Sequence, residues 1–327
     1  MQIVFLVNDP TDIQPTQTTA MLINAAVNQG HSVGVTGVSD LACHNDGQPW
    51  AQVRWLKEKT TNLQRFTQQI STTRSASACL AETEILMIRT NPSRSDRAAS
   101  HGFALDFARI CQQNGIRVIN QPEGLVRAAS KLYLLELPVF TRPSTLVSQN
   151  RAEILSFISA LKTSAVLKPI KGTRGNDVFL IDGIHDSNLN QIIDVILRQG
   201  PVMAQRCIPG AAAGDTRVVV FNGKVLEVNG HFAAIQRVPK RGDFRSNIHA
   251  GGVAKLGTVT DEMRQVVEAV SPKLVQEGLF LVGLDFIGTQ LVEINVFSTG
   301  GLRDAERFTG QAFADTLIEK IVMLCQL

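Results

Sequence analysis

Residues 281–296 read LVGLDFIGTQLVEINV, two apolar runs on either side of Gly288-Thr289-Gln290. This is the pattern of two antiparallel strands joined by a tight turn. Counted outward from a three-residue loop, Ile287 pairs with Leu291 and Asp285 with Glu293, so two carboxylates face each other. Directly opposed residues hold their Cβ atoms about 4.5–5.5 Å apart, where two negative charges repel by roughly 3–4 kcal/mol at an effective dielectric near 20. The spacing therefore predicts a positive group between them. Asn295, two residues past Glu293, projects from the same face and adds a neutral oxygen. Three hard oxygen donors suit Mg²⁺, which keeps few protein ligands and completes its shell with phosphates. The other reading is a hairpin with solvated acids; the apolar flanks VGL, FI, LV and IV favour the metal.

A phosphate partner is suggested upstream. In AVLKPIKGTRGNDVFL (165–180), Lys168 ends an apolar strand and is followed by Lys171, Gly172, Arg174 and Gly175. Such a loop can close its N–H groups over phosphates with Lys168 beneath as a point charge, although alone it reads equally as a basic turn. In QRVPKRGDFRSNIHAGG (236–252), Arg237, Lys240, Arg241 and Arg245 gather around a single acid, Asp243. That is either a solvated charge run or an anion-gripping loop. Arg217, at the start of the run TRVVVF, is a further phosphate contact or a gatekeeper at a strand edge.

With 327 residues and about 150 per domain, the chain holds two domains, or one with a lid. It carries 44% apolar and 19% charged residues with a net charge of +3, which excludes disorder and gives no global reason to bind nucleic acid or a membrane. MQIVFLVNDP lacks a basic leader and reads as a strand, not a signal peptide. Cys43, Cys79, Cys111, Cys207 and Cys325 are scattered without a CxxC pair, arguing against disulfides or zinc and for a reducing cytoplasm. Cys207 lies in an apolar run with no base spaced beside it and reads as packing. GxGxxG after the first strand, GxxxxGK[ST], HExxH and GxSxG are all absent.

Residues 1–122 alternate strand and helix: IVFLV (3–7), a helix over 18–30 ending at Gly30, HSVGVTGV (31–38), EILMIRT (84–90), a helix over 101–115 and IRVIN (116–120). A mainly parallel sheet follows. Residues 45–81 are polar and weakly patterned, with 71–78 read as at most a mobile loop. Gln121-Pro122 marks a boundary. Residues 123–200 contain short helices and the strand–glycine loop–strand segment, and 201–327 are strand-rich with a C-terminal helix.

Taken together, NDP, ILMIRTNP, INQPEGL, SKL, VLKPIKGTRG, VMAQRCIPGAAAGDTRVVVFNGK, RSNIHAGG and VGLDFIGTQLVEINVFST resemble, in one order along nearly the whole chain, the ATP-grasp superfamily and within it the prokaryotic glutathione synthetase family. The resemblance implies an α/β (α+β) ATP-grasp fold: an N-terminal Rossmann-like domain (1–122), a lid (123–200) and a C-terminal domain (201–327), with ATP between the last two. It implies that Lys131 and Lys168 contact ATP phosphates, that Gly172 and Gly175 belong to the covering loop, and that Gln205, Arg206, Cys207 and Ile208 border adenine. Asp215 would reach the ribose and Arg217 a phosphate. Asp285, Glu293 and Asn295 match the metal ligands, for Mg²⁺ or alternatively Mn²⁺. Arg89, Arg237, Arg245 and Asn247 would meet the substrate, with Arg237, Arg245 and Lys168 serving the chemistry.

The implied reaction is ligation of a carboxylate to an amine through an acyl phosphate, foremost γ-glutamylcysteine to glycine, by a homo-oligomer. Rival readings are a ligase for another carboxylate and amine, a non-catalytic ATP-binding module and an ATP-grasp kinase. NVFSTGGLRDAE, KGTRG and IRTNPS depart from the family's best-known members, which carry a Thr-Ser-Pro-Thr run, a small or apolar loop residue, and an acidic double-proline segment.

Overall fold

The computed structural model describes residues 1–92, 98–170, 176–240 and 252–326. Lys171, Gly172, Arg174, Gly175, Arg241, Arg245 and Asn247 of the sequence reading lie outside them.

β1 (Gln2–Val7), α1 (Thr18–Asn28) and β2 (Ser32–Gly37) form the opening βαβ unit, followed by β3 (Leu41–Cys43), β4 (Pro49–Leu56), α2 (Leu63–Thr72), β5 (Ala76–Cys79), β6 (Ile85–Arg89), α3 (Ala98–Gln113) and β7 (Arg117–Ile119). The sheet order is β3-β4-β2-β1-β6-β7, with β5 on β4. The run β2-β1-β6-β7 is parallel. Val4 and Leu6 of β1 join the core that includes α3, whereas Ile3, Phe5 and Val7 join the core that includes α1. Burial on both faces explains why this strand reads as a continuous apolar run.

Residues 45–81 hold β4, α2 and β5, and 71–78 are a helix end and an edge strand rather than a loop. β4 buries Pro49, Ala51, Val53 and Leu56, whereas α2 turns only Phe66, Thr67 and Ile70 inward and β5 buries none of its residues. Their period is too sparse to show in the sequence.

After α4 (Pro122–Ala128) and a 3₁₀ turn (Lys131–Glu136) come β8 (Thr145–Ser148), α5 (Arg151–Leu161), β9 (Ala165–Pro169), β10 (Phe179–Ile181), α6 (Leu189–Leu197) and β11 (Val202–Arg206). They build an antiparallel sheet, β10-β9-β11-β8, whose helices cover Leu167, Val202 and Ala204. This layer runs from Thr145 to Arg206. β11 lies inside it between β9 and β8, so the strand that follows Pro201 belongs to the same sheet as the segment before it. Leu125, Tyr133, Leu134 and Leu137 pack instead into the core shared with the third sheet.

That sheet comprises β12 (Asp215–Phe221), β13 (Lys224–Val225), β16 (Ala234–Val238), β17 (Val253–Leu256), β18 (Leu281–Ile287) and β19 (Gln290–Asn295) in the order β17-β16-β12-β18-β19, with β13 on β12. β14 (Glu227–Val228) and β15 (His231–Phe232) pair separately. α7 (Asp261–Gln276) covers the face of Val218, Val220, Val282, Leu284 and Phe286. α8 (Leu302–Thr309) and α9 (Phe313–Gln326) join Val219, Phe221 and Leu281 on the other.

Candidate active site

The β18–β19 hairpin differs from the sequence count by one residue at its turn, where Ile287 pairs with Gln290 and Phe286 with Leu291. The loop is therefore the two residues Gly288-Thr289, with Gly288 at φ +56°, a conformation glycine takes without steric cost. A bulge at Val292 then restores Asp285 opposite Glu293 and sets Asn295 opposite Gly283. An extra residue on one strand re-aims the side chains beyond it.

Pairing across the sheet gives Asp215↔Arg237, Arg217↔Ile235, Arg217↔Asp285 and Asp285↔Glu293. Strand alternation therefore puts Asp215, Arg217, Arg237, Asp285, Glu293 and Asn295 on one face. Arg217 donates from Nε to Asp285 Oδ1 at 2.5 Å and from Nη2 to Oδ2 at 2.7 Å. Arg237 Nη2 stands 2.8 Å from the same Oδ2 and also binds Asp215 through two bonds of 2.6 and 2.8 Å. The positive groups beside Asp285 are thus two guanidiniums. Burial pushes the Asp285 carboxyl up, but Arg217 and Arg237 outweigh it and hold the group below the usual carboxylate range.

Gly283 makes room for this arrangement. A Cβ there would lie 2.1 Å from Thr299 Oγ1 and 2.9 Å from Arg217 Cδ.

Asn295 donates Nδ2 to Asp285 Oδ2 at 3.0 Å, which leaves its amide oxygen available. Glu293 lines the adjacent cleft. Among the described residues, no group of three His, Cys, Asp or Glu side chains is placed to hold an ion. Two carboxylates and an amide oxygen nonetheless fit a magnesium ion whose remaining ligands are phosphates and water, with Asp285 shared between the ion and its arginines.

Lys168, Met203 and Gln205 share the lid-sheet face opposite its helices, by the pairing Met203↔Lys168 and Gln205↔Val166. Lys168 is 8% exposed. Burial pulls its ammonium down to about 8, with Lys131 adding to the fall and Glu293 and Asp285 opposing it. Lys131 Nζ donates to the Pro169 carbonyl at 3.2 Å, and its ammonium is likewise lowered by burial against the pull of Glu293. Two lysines and Glu293 thus share one field. Gln205 binds Thr145 Oγ1 at 3.0 Å. Arg206 belongs to the other face and reaches Gln290 Oε1 at 3.3 Å, while Cys207 and Ile208 follow on the exit from β11; these three, like Lys168, Gln205, Asp215 and Asp285, stand behind the cleft's lining residues and not among them.

The cleft has a volume of about 540 Å³ and also takes in Lys131, Arg217, Arg237, Asn295, Arg89 and the N-terminus of α1. Its N-terminal wall lies at the carboxyl ends of β1 and β6, where the parallel strand order reverses, the usual ligand position in an open α/β sheet. Arg89 is 4% exposed. It donates to Thr19 Oγ1 at 3.3 Å and the Thr299 carbonyl at 2.8 Å. Burial lowers its guanidinium to about 10, and no carboxylate pairs with it among the described residues. α1 starts beside it without a side-chain cap, so both features favour an anion.

Several contributors were invisible to sequence reasoning. Asn120 donates to the Leu281 and Val296 carbonyls at 2.8 and 2.7 Å and accepts from Leu281 N at 2.7 Å, bolting the first sheet to the hairpin. Asn8 and Asn91 exchange hydrogen bonds, and Ser298 Oγ donates to the Arg89 carbonyl at 2.7 Å. Asn8, Asn120 and Ser298 each come directly after an apolar run, Asn91 follows Arg89-Thr90, and only the proximity of NDP, IRTNP and VFST hinted at their roles.

Residues 130–310 match the family described as prokaryotic glutathione synthetase, ATP-grasp domain, and residues 1–126 match its N-terminal domain. Relatives named glutathione synthetase include those of Synechococcus elongatus, 33% identical over 99% of both chains, and Gloeobacter violaceus, 32% identical over 98% of this chain and 97% of the other. Similar solved structures include the D-cycloserine synthetase DcsG, TM-score 0.62 at 17% identity over 97% and 99% of the two chains. The D-alanyl-alanine synthetase A of Vibrio cholerae follows with TM-score 0.60 at 11% identity over 100% and 99%. The fold is that of an ATP-grasp enzyme, and the relatives define the class as an ATP-dependent ligase that forms peptide bonds. Within that class, the chain belongs to the prokaryotic glutathione synthetase family.

Proposed function

We propose that the protein joins γ-glutamylcysteine to glycine at the expense of ATP, with Mg²⁺ as the ion. The observation that carries this reading is the single cleft in which buried Arg89 faces the Arg217, Arg237 and Glu293 cluster across the sheet junction. Arg89 and the α1 N-terminus hold the dipeptide through its anionic groups. Lys131, Lys168, Arg217 and Arg237 neutralise the triphosphate, and Gln205 borders the base. The cysteinyl carboxylate attacks the γ-phosphorus as the bond to ADP breaks. The glycine amine then attacks the acyl carbon, phosphate leaves with the bonding pair, and the amine proton passes to solvent. Glu293, Asn295 and Asp285 would hold Mg²⁺, which supplies charge neutralisation between the phosphates. The remaining work is electrostatic preorganisation and exclusion of water from the acyl phosphate.

Five cysteines, all free, suit a reducing cytoplasm, and no helix among the described residues is long and apolar enough to cross a membrane. Purified protein is assayed with MgATP and γ-glutamylcysteine, with and without glycine and then an amino-acid panel, following ADP and product mass. ADP formed only with both substrates, with the tripeptide as product, is expected. Turnover with a different amine alone reassigns the acceptor, a stable phosphorylated product without amine indicates a kinase, and no ADP in any combination indicates a binding module.

A further inference from the structure

Behind the cleft, four charged side chains close a ring. Arg127 reaches Glu136 at 2.6 Å and Glu277 at 3.2 Å, and Lys273 reaches the same two acids at 2.8 and 2.7 Å. Isolated exposed pairs contribute little, but a closed network whose Glu277 side chain is 14% exposed is held in one geometry. Lys273 Nζ also sits 5.3 Å from the centre of the Tyr133 ring, within cation–π range. The Tyr133 hydroxyl and Glu277 Oε2 are both buried without a hydrogen-bond partner. Burial and then Glu277 raise the phenol above its ordinary value.

Tyr133 and Glu136 belong to the 3₁₀ turn that starts at Lys131. Lys131 in turn grips the end of β9 through its backbone N–H to the Ile170 carbonyl at 3.1 Å and its ammonium to the Pro169 carbonyl at 3.2 Å. The turn is thus fixed to α7 on one side and to the strand that carries Lys168 on the other.

We propose that Glu277 is a positioning residue for the nucleotide site: by closing the ring behind Tyr133 it sets the turn that presents Lys131 to the ATP phosphates and locates the lid strand of Lys168. Glu277 is neither a cleft-lining residue nor part of any motif read from the sequence. The inference rests on the reading of Lys131 as a phosphate contact.

The experiment compares Glu277→Gln, Arg127→Gln and Lys131→Ala by steady-state kinetics in ATP and in γ-glutamylcysteine, with thermal unfolding alongside. A small displacement of a binding group can cost one to two powers of ten. Glu277→Gln is expected to raise KM for ATP by about tenfold, with KM for the dipeptide unchanged. Arg127→Gln, at a more exposed position, gives about threefold in the same direction. Tyr133 is the single tyrosine, so its ultraviolet titration reads the ring directly and moves to lower pH in Glu277→Gln. If Glu277→Gln does not fold, Arg127→Gln decides. A rise in ATP KM for Lys131→Ala but not for the folded ring variants overturns the inference, as does an equal rise in both KM values. An unchanged ATP KM in Lys131→Ala, with ring variants that do raise it, overturns the Lys131 reading and leaves Glu277 acting through the lid strand alone.

Discussion

Arg217 holds Asp285 through two near-parallel hydrogen bonds of 2.5 and 2.7 Å, and the carboxylate is 1% exposed. Arg237 bridges Asp285 to Asp215. Two arginines therefore balance two acids on one sheet face, and each guanidinium stands at the edge of the cleft where phosphate charge would arrive.

Removing one member of this cluster leaves buried charge unpaired. Asp285→Asn should lower stability by about 3 kcal/mol, since breaking a buried pair from one side strands the other partner. Turnover should fall by at least about a hundredfold because the arginines lose their alignment. Urea unfolding with ADP release on the same preparation checks both, and a variant with wild-type stability would mean that the arginines are held by something else.

Glu293 sits opposite Asp285 but is half-exposed and lines the cleft. Glu293→Gln should abolish turnover while shifting unfolding by less than about 0.5 kcal/mol, as surface substitutions usually do. Chelation of divalent ions should stop the wild-type enzyme and restoration of Mg²⁺ should restart it. Activity of Glu293→Gln near the wild-type level would remove this residue from the ion site.

How much of this was written in the sequence differs from element to element. The pairing of Asp285 with Glu293 was legible because apolar flanks fix both strands, but the turn and bulge were not, since two errors of one residue cancel at that pair. The source of positive charge was also partly hidden. Arg217 is a neighbour of Asp285 through β12, more than sixty residues away, and no local period shows a cross-strand partner at that distance. α2 escaped notice because only Phe66, Thr67 and Ile70 face inward, and β4 because Pro49 and Ala51 give its buried face a weak apolar signal beside Val53 and Leu56. β11 was cut from its sheet because Pro201 precedes it, although proline at the start of a strand interrupts no ladder.

Arg89 is a buried cation without a carboxylate partner among the described residues. Holding it there costs solvation that the protein does not recover until an anion binds. Arg89→Met should therefore leave stability within about 1 kcal/mol of wild type, or raise it. KM for the dipeptide should rise by about a hundredfold with KM for ATP unchanged. Equal effects on both substrates would place the guanidinium's role in folding and not in donor binding.

Lys168 supplies the pH dependence. Its pKa is about 8 in the folded protein because of burial, against about 10.4 for a free lysine. Between these values the unfolded chain carries a proton that the native state lacks, so this group's destabilisation is fully present below about pH 8 and fades as pH rises toward 10.4. Nucleotide binding runs the other way, because a triphosphate favours the ammonium. At pH 8 about half of the protein must take up a proton at Lys168 to bind ATP, and affinity should weaken as pH climbs from 7 to 9. Calorimetric titrations at pH 8 in two buffers of different ionisation enthalpy measure the uptake. Lys168→Met should bind with about half a proton less than the wild type. Identical uptake in the two proteins would show that Lys168 is already charged before the nucleotide arrives, and that the burial of its strand face is relieved in solution.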